Sequence, residues 1–85
     1  MTSAAVQEAV IDVLKDVSRR PIEPAPGHDL IADLAFDSLQ IMETMAQLED
    51  RFNVAISTDH LAGVRTVADV VARVTQLVES RPPAP

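Results

Sequence analysis

The chain has 85 residues and no cysteine, so it forms one small domain without a disulfide framework, a thiolate nucleophile or a thiolate zinc site of its own. No uninterrupted apolar run exceeds three residues, which excludes a transmembrane span and a secretion signal, and the expected location is the cytoplasm. Hydrophobic residues make up 47% of the sequence, which is ample for a packed core.

The negative charge lies in the middle of the chain. The formal net charge is −6 at pH 7, and residues 29–59 hold seven acids against one base, so the rest of the chain is balanced. This acidity disfavours nucleic acid as a partner. A field of one sign can steer a basic partner towards this segment, although an acidic surface can also serve only solubility.

The first predicted helix extends from Ser3 to Val17, and Thr2 or Ser3 can cap its start. Apolar residues at helical spacing make one stripe for the core: Val6, Val10, Val13, Leu14 and Val17. A long loop follows, because three prolines and a glycine between residues 19 and 29 cannot continue a helix. Residues 29–33 are predicted to form a short helical turn.

This loop is long for so small a domain, and loops of such length are usually functional or ordered by their own contacts. Four apolar side chains are expected to pin it to the core: Ile22, Leu30, Ile31 and Leu34.

The second predicted helix extends from Asp37 to Phe52. Asp37 as N-cap and Gln40 three residues later resemble a capping box, which places Ser38 in the first helical turn. The apolar residues predicted for its core stripe are Leu39, Met42, Met45, Ala46 and Phe52, with Ile41 and Leu48 on the flanks.

The last third of the chain is predicted to hold one brief and one longer helix. Residues 53–56 form a connector, and Ser57 or Thr58 caps a brief third helix through Leu61, ended by Gly63. The last helix covers residues 66–79, with a capping box formed by Thr66 and Asp69. Its core stripe consists of Val67, Val70, Val71, Val74, Leu77 and Val78.

These elements predict an all-α domain over residues 1–80, followed by a disordered tail at 81–85. Three main helices and the short third one must bury their stripes against each other, which gives a small four-helix bundle with a long loop between helices 1 and 2. Met1 and the short tail suggest a free-standing protein, and we expect a monomer.

The inventory of catalytic residues is small. His28 and His60 have no partners at a spacing that forms a recognisable metal site, so both are interpreted as surface residues. The chain has two glycines, too few for a glycine-rich phosphate loop, and no tryptophan or tyrosine on which nucleic acid bases could stack. We predict neither a bound metal nor an enzyme.

One segment carries a functional motif: residues 33–39, with the sequence DLAFDSL. An Asp-Ser-Leu tripeptide at the start of an amphipathic helix, after a long loop and within an acidic chain of this size, resembles the acyl carrier protein family. The resemblance extends from the first helix to Val78 and includes Asp29-Leu30 before the motif. After the motif it includes residues 48–52 (LEDRF) and 66–70 (TVADV).

The resemblance implies that Ser38 receives 4′-phosphopantetheine from coenzyme A, through a separate phosphopantetheinyl transferase that uses magnesium. The terminal thiol of the arm would then carry acyl groups as thioesters, so that a cysteine-free protein can take part in thiol chemistry. A phosphodiester at a helix N-terminus also meets free backbone N–H groups. The alternative for Ser38 is an ordinary residue of a helix start.

The resemblance also implies partner contacts around this serine. Asp37 would help the transferase to recognise the site, and acidic residues of the second helix would meet basic patches on an acyl-loading enzyme, a ketosynthase or an acyltransferase. The partner residues are Asp37, Leu39, Glu43, Glu49, Asp50 and Phe36. Phe36 is hypothesised to be partly exposed, with a loop anchor packed on the core as the alternative, and Met42 is interpreted as a core residue.

Three departures from the family pattern favour a secondary-metabolite or polyketide carrier over the carrier of fatty acid biosynthesis: Gln40, Arg51 and Ala35. Ala35 stands where a glycine is usual, so it is strained if the turn needs a positive φ. Two alternatives stay open: an aminoacyl or peptidyl carrier of a nonribosomal peptide pathway, and an acidic helical adaptor without a prosthetic group.

Overall fold

A computed structural model describes residues 3–80, and these residues form three α-helices and one short 3₁₀ helix. Helix α1 covers Ser3–Val17, α2 covers Ser38–Phe52, the 3₁₀ helix covers Thr58–Leu61, and α3 covers Val67–Glu79. The all-α prediction is confirmed, and the predicted third helix is a single 3₁₀ turn. The predicted tail at 81–85 and the alternative cap Thr2 lie outside the described residues.

Helix α1 is the element that the other two helices share. It packs against both α3 and α2. All five residues of its predicted stripe are buried, together with Ala9. The predicted stripe of α3 is buried over Val67–Val74, while Leu77 and Val78 are half-buried near its end.

The long loop is ordered by hydrogen bonds to the start of α3. Leu30 N–H donates to Arg65 O (N···O 2.9 Å), while Val67 N–H donates to His28 O (3.0 Å) and Ala68 N–H donates to Pro26 O (2.9 Å). The loop carbonyls therefore satisfy two of the free N–H groups that every helix start exposes. Leu30 and Leu34 anchor the loop in the core, as predicted.

Ile31 does not anchor the loop, because its side chain is 63% exposed. It lies in the predicted turn, where Asp33 N–H and Leu34 N–H both donate to Asp29 O. The turn directs Leu30 and Leu34 into the core and leaves the three residues between them at the surface.

The predicted core stripe of α2 is confirmed for Met45 and Phe52 and wrong for its other three residues. The buried face carries Gln40, Thr44, Met45, Leu48 and Phe52, whereas Leu39, Met42 and Ala46 are exposed. Two polar side chains can occupy the buried face because each forms a hydrogen bond with a backbone group of the helix or of its N-cap. Gln40 Oε1 accepts from Asp37 N–H (3.1 Å), and Thr44 Oγ1 donates to Gln40 O (2.8 Å).

Candidate functional site

Ser38 is the first residue of α2 and is exposed at the end of the long loop. Neither its hydroxyl nor its backbone N–H has a hydrogen-bond partner within residues 3–80, and the same holds for the Leu39 N–H. A helix start leaves such N–H groups free because no preceding turn can accept from them. A reachable hydroxyl therefore stands beside two free backbone donors at the positive end of the helix dipole.

Asp37 fixes this arrangement as the N-cap of α2. Its Oδ1 accepts from Gln40 N–H at 2.8 Å, and the Gln40 side chain completes the predicted capping box. Its Oδ2 lies 3.8 Å from Arg19 Nη1 at the end of α1. Both oxygens of Asp37 thus serve the fold, while the side chain stays exposed.

An apolar surface adjoins Ser38 on α2. Leu39 is 55% exposed and Met42 is 65% exposed, and they lie three residues apart on one face of the helix. The interpretation of Met42 as a core residue is therefore wrong. The signal that could have found it is the alternative stripe of Gln40, Ile41, Thr44, Met45 and Leu48, which becomes visible once the two polar residues are allowed inside.

The comparisons with known proteins decide the family. A family model described as "Phosphopantetheine attachment site" matches residues 6–74. The chain is 40% identical over 86 residues to the meromycolate extension acyl carrier protein of Mycolicibacterium smegmatis, across 95% of this chain and 87% of that protein. It is 34% identical over 79 residues to the acyl carrier protein of Rhodococcus erythropolis, across 87% of both chains.

The chain belongs to the acyl carrier protein family. A solved structure from Mycobacterium tuberculosis, described as an acyl carrier protein, superposes on this fold with a TM-score of 0.77. It is 31% identical, and the match covers 84% of this chain and 96% of that one.

This acyl carrier protein is therefore a non-catalytic carrier that holds acyl groups on covalently attached 4′-phosphopantetheine. The arm supplies the thiol that the cysteine-free chain lacks. The donor set at the start of α2 fits the phosphodiester of such an arm, because a free hydroxyl and two unpaired N–H groups lie together there.

The predicted acidic partner residues of this carrier differ in their availability. Glu43 and Asp50 are exposed, and their side chains make no ion pair or hydrogen bond within residues 3–80. Glu49 is half-buried, and its Oε2 accepts from Ile56 N–H at 2.9 Å, so it holds the connector after α2. Arg51, which interrupts the acidic run in the sequence, turns towards α1 and lies 3.8 Å from Asp12 Oδ2.

The hypothesis that Phe36 is partly exposed is wrong. Its side chain is only 3% exposed and belongs to the core cluster, while its N–H donates to Leu30 O at 2.9 Å. Phe36 is the loop anchor of the alternative interpretation, because burial of a phenyl ring is worth more to the fold than exposure of it.

Residues 3–80 contain no cluster of three or more histidine, aspartate or glutamate side chains that could hold a metal ion. No helix in that range is long and apolar enough to cross a bilayer.

Proposed function

We propose that Ser38 is the residue that carries the 4′-phosphopantetheine arm, and that this chain is the substrate of a phosphopantetheinyl transferase. The observation that supports the proposal is the hydroxyl of the Asp-Ser-Leu motif, exposed at the first position of α2 and free of hydrogen bonds within residues 3–80. In the transfer, the Ser38 oxygen loses its proton and forms a phosphodiester. The pyrophosphate bond of coenzyme A breaks, and its nucleotide part leaves.

Mass spectrometry tests this assignment after incubation with coenzyme A, magnesium and a phosphopantetheinyl transferase. The wild type should gain the mass of one arm, and Ser38→Ala should gain none while keeping its helical circular dichroism. Ser57→Ala is the matched control, because Ser57 is also an exposed serine at the start of a helical element, as the N-cap of the 3₁₀ helix. An arm on Ser38→Ala, or its absence from the wild type, contradicts the proposal.

We further propose that the carrier serves fatty-acid-type chain extension. The relatives named for meromycolate extension support this pathway. The three departures that favoured a secondary-metabolite pathway have roles in the fold: Gln40 completes the cap of α2, Arg51 pairs with α1, and Ala35 forms a turn. They therefore carry little information about the pathway.

The cargo can be read from the protein isolated from its source. Intact-protein mass spectrometry should find long-chain fatty acyl groups on the arm. Poly-β-keto or aminoacyl groups would overturn the assignment to fatty-acid-type extension and leave the assignment of Ser38 in place.

The partner surface that we propose consists of Ser38, Leu39, Met42, Glu43 and Asp50. Exposed apolar and acidic side chains side by side suit partners that combine basic and apolar patches, such as a transferase, a ketosynthase or an acyltransferase. A monomeric state and a cytoplasmic location stay predictions from the sequence.

A further inference from the structure

A cleft with a positive charge excess lies beside Ser38. It has a volume of about 320 Å³ between the end of α1 and the start of α2, and its lining includes Arg19, Arg20, Ala35, Asp37 and Gln40. Two guanidinium groups and one carboxylate leave one positive charge in excess. This excess is notable because residues 29–59, which border the cleft, carry the whole net negative charge of the protein.

The two arginines differ in their partners. Arg19 Nη1 lies 3.8 Å from Asp37 Oδ2, and both side chains are exposed. Arg20 makes no ion pair within residues 3–80, so its guanidinium is available to an anion. The cleft thus holds one arginine with a weak, exposed ion pair and one arginine without any.

Ser18 holds the backbone that carries both arginines. Its N–H donates to Leu14 O at 3.0 Å and continues the hydrogen bonding of α1 by one residue. Its hydroxyl donates to Arg20 O at 2.6 Å and accepts from Arg20 N–H at 3.3 Å. The backbone at the end of α1 is therefore constrained beside the start of α2.

We propose that Arg19 and Arg20 bind the phosphodiester of the arm once it is attached, with Arg19 shared between Asp37 and the phosphate. This inference rests on Ser38 being the attachment residue. The phosphodiester adds one negative charge on the residue directly after Asp37. This charge and the Asp37 carboxylate repel each other. The single excess positive charge of the cleft matches the single negative charge of a phosphodiester. One guanidinium group can donate two parallel hydrogen bonds to the oxygens of a phosphate group.

The consequence for function is that the phosphate end of the arm is held close to the end of α1. The arginines then act as positioning residues, because they touch the phosphate and not the thioester. The alternative is that Arg19 serves only its ion pair with Asp37 and that Arg20 serves only solubility.

The test compares apo and holo forms of four proteins: the wild type, R19Q/R20Q, R20Q and R73Q. R73Q is the matched control, because Arg73 lies on α3, makes no ion pair within the described residues, and loses the same charge. Mass spectrometry establishes the modification of each sample. Phosphorus NMR at low salt then reads the environment of the phosphodiester, and thermal unfolding gives the Tm of the apo and holo forms.

We expect the phosphorus resonance of R73Q to coincide with that of the wild type and the resonance of R19Q/R20Q to be displaced. The difference in Tm between the holo and apo forms should fall by about 2–5 °C in R19Q/R20Q, since an exposed charge pair has that effect in a domain of this size. R20Q should show part of both changes, and it decides the outcome if R19Q/R20Q fails to fold, because Arg20 has no ion pair to lose.

Equal phosphorus shifts and equal Tm differences in wild type, R20Q and R19Q/R20Q would overturn this inference and leave Ser38 as the attachment residue. Equal displacement by R73Q would also overturn it, because a loss of charge anywhere would then suffice. A wild type that gains no arm would instead overturn the assignment of Ser38, and this inference with it.

Discussion

Ala35, three residues before Ser38, has a backbone φ of 59°, which lies in the left-handed region. The side-chain carbon of any residue except glycine clashes there with its own backbone, at a cost of about 1–2 kcal/mol. The conformation persists because its neighbours hold it: Ala35 N–H donates to Ile31 O at 3.1 Å, and the next residue, Phe36, is buried. The strain foreseen for an alanine at this position is therefore present.

We predict that Ala35→Gly raises the free energy of unfolding by about 0.5–1 kcal/mol. Glycine removes the clash, although it also increases the entropy of the unfolded chain, and the gain is the difference between the two. Urea unfolding followed by circular dichroism measures it. Ala62→Gly is the control, because Ala62 is also exposed but has a φ of −60°, so glycine should lower the stability there.

A result in which both glycine substitutions lower the stability by the same amount would show that Ala35 is not strained. In that case the left-handed backbone conformation of Ala35 would have no measurable cost in stability.

Helix α2 shows why local patterns and burial can disagree. Its N-terminus was predictable, because Asp37 and Gln40 satisfy backbone groups within four residues of each other. Its buried face was not, because Gln40 and Thr44 read as polar and a stripe of Leu39, Met42 and Met45 reads as apolar. Which of the two faces is buried depends on hydrogen bonds that satisfy Gln40 and Thr44 inside the helix, and the order of residue types does not reveal those bonds.

Two methionines of α2 provide a matched test of the helix face. Met45 is 5% exposed and Met42 is 65% exposed. We predict that Met45→Ala lowers the free energy of unfolding by about 2–4 kcal/mol, because it leaves a cavity. Met42→Ala should change it by less than about 0.5 kcal/mol, as a surface substitution does.

For the rate at which the phosphopantetheinyl transferase loads the protein, we predict the opposite order of effects, because Met42 belongs to the proposed partner surface and Met45 does not. Met42→Ala should slow loading by the phosphopantetheinyl transferase, whereas Met45→Ala should leave the rate of its folded fraction unchanged. Chemical denaturation and a loading time course on the same samples separate the two effects. A rate that follows stability in both variants would argue against Met42 as a contact residue.

At the scale of the whole molecule, two carboxylates hold the start of α3: Asp29 of the long loop lies 3.6 Å from Arg65 Nε, and Asp69 caps the helix to which it belongs. Hydrogen bonds from Ala32 N–H and Ile31 N–H, together with the Arg65 guanidinium, lower the pKa of Asp29. Hydrogen bonds from Thr66 N–H and Arg65 N–H likewise lower the pKa of Asp69. Both carboxylates prefer the ionised form in the folded protein.

The lowered pKa values predict a loss of stability in acid. A carboxylate whose pKa is lower in the folded chain stabilises the fold above its unfolded pKa, close to 3.8 for an aspartate, and this contribution is lost as the pH falls through the folded value. Urea unfolding at pH 7 and pH 3 should show the loss. The variant Asp29→Asn should reduce this dependence on pH.

Asp50→Asn is the control for the pH experiment, because the Asp50 carboxylate makes no hydrogen bond or ion pair within residues 3–80. It should retain the wild-type dependence on pH. A dependence reduced equally by both variants would mean that general charge, and not the contacts of Asp29, causes the acid sensitivity.

The sequence by itself determined the helices, their caps and the motif around Ser38. Each of these depends on groups within a few residues of each other: apolar spacing in α1 and α3, the Thr66–Asp69 capping box, and prolines that end a helix. Such short-range interactions have the same form in any chain that contains them, and they can therefore be read from residue order.

The tertiary structure alone decided which side chains are buried and which remain available. Phe36 is packed into the core, Met42 and Ile31 are exposed, and Arg19 meets Asp37 across 18 positions of sequence. These outcomes depend on how the loop and α1 are placed against α2. Contacts between distant segments depend on all the packing and hydrogen bonding of the folded chain. A local sequence pattern does not include these long-range interactions.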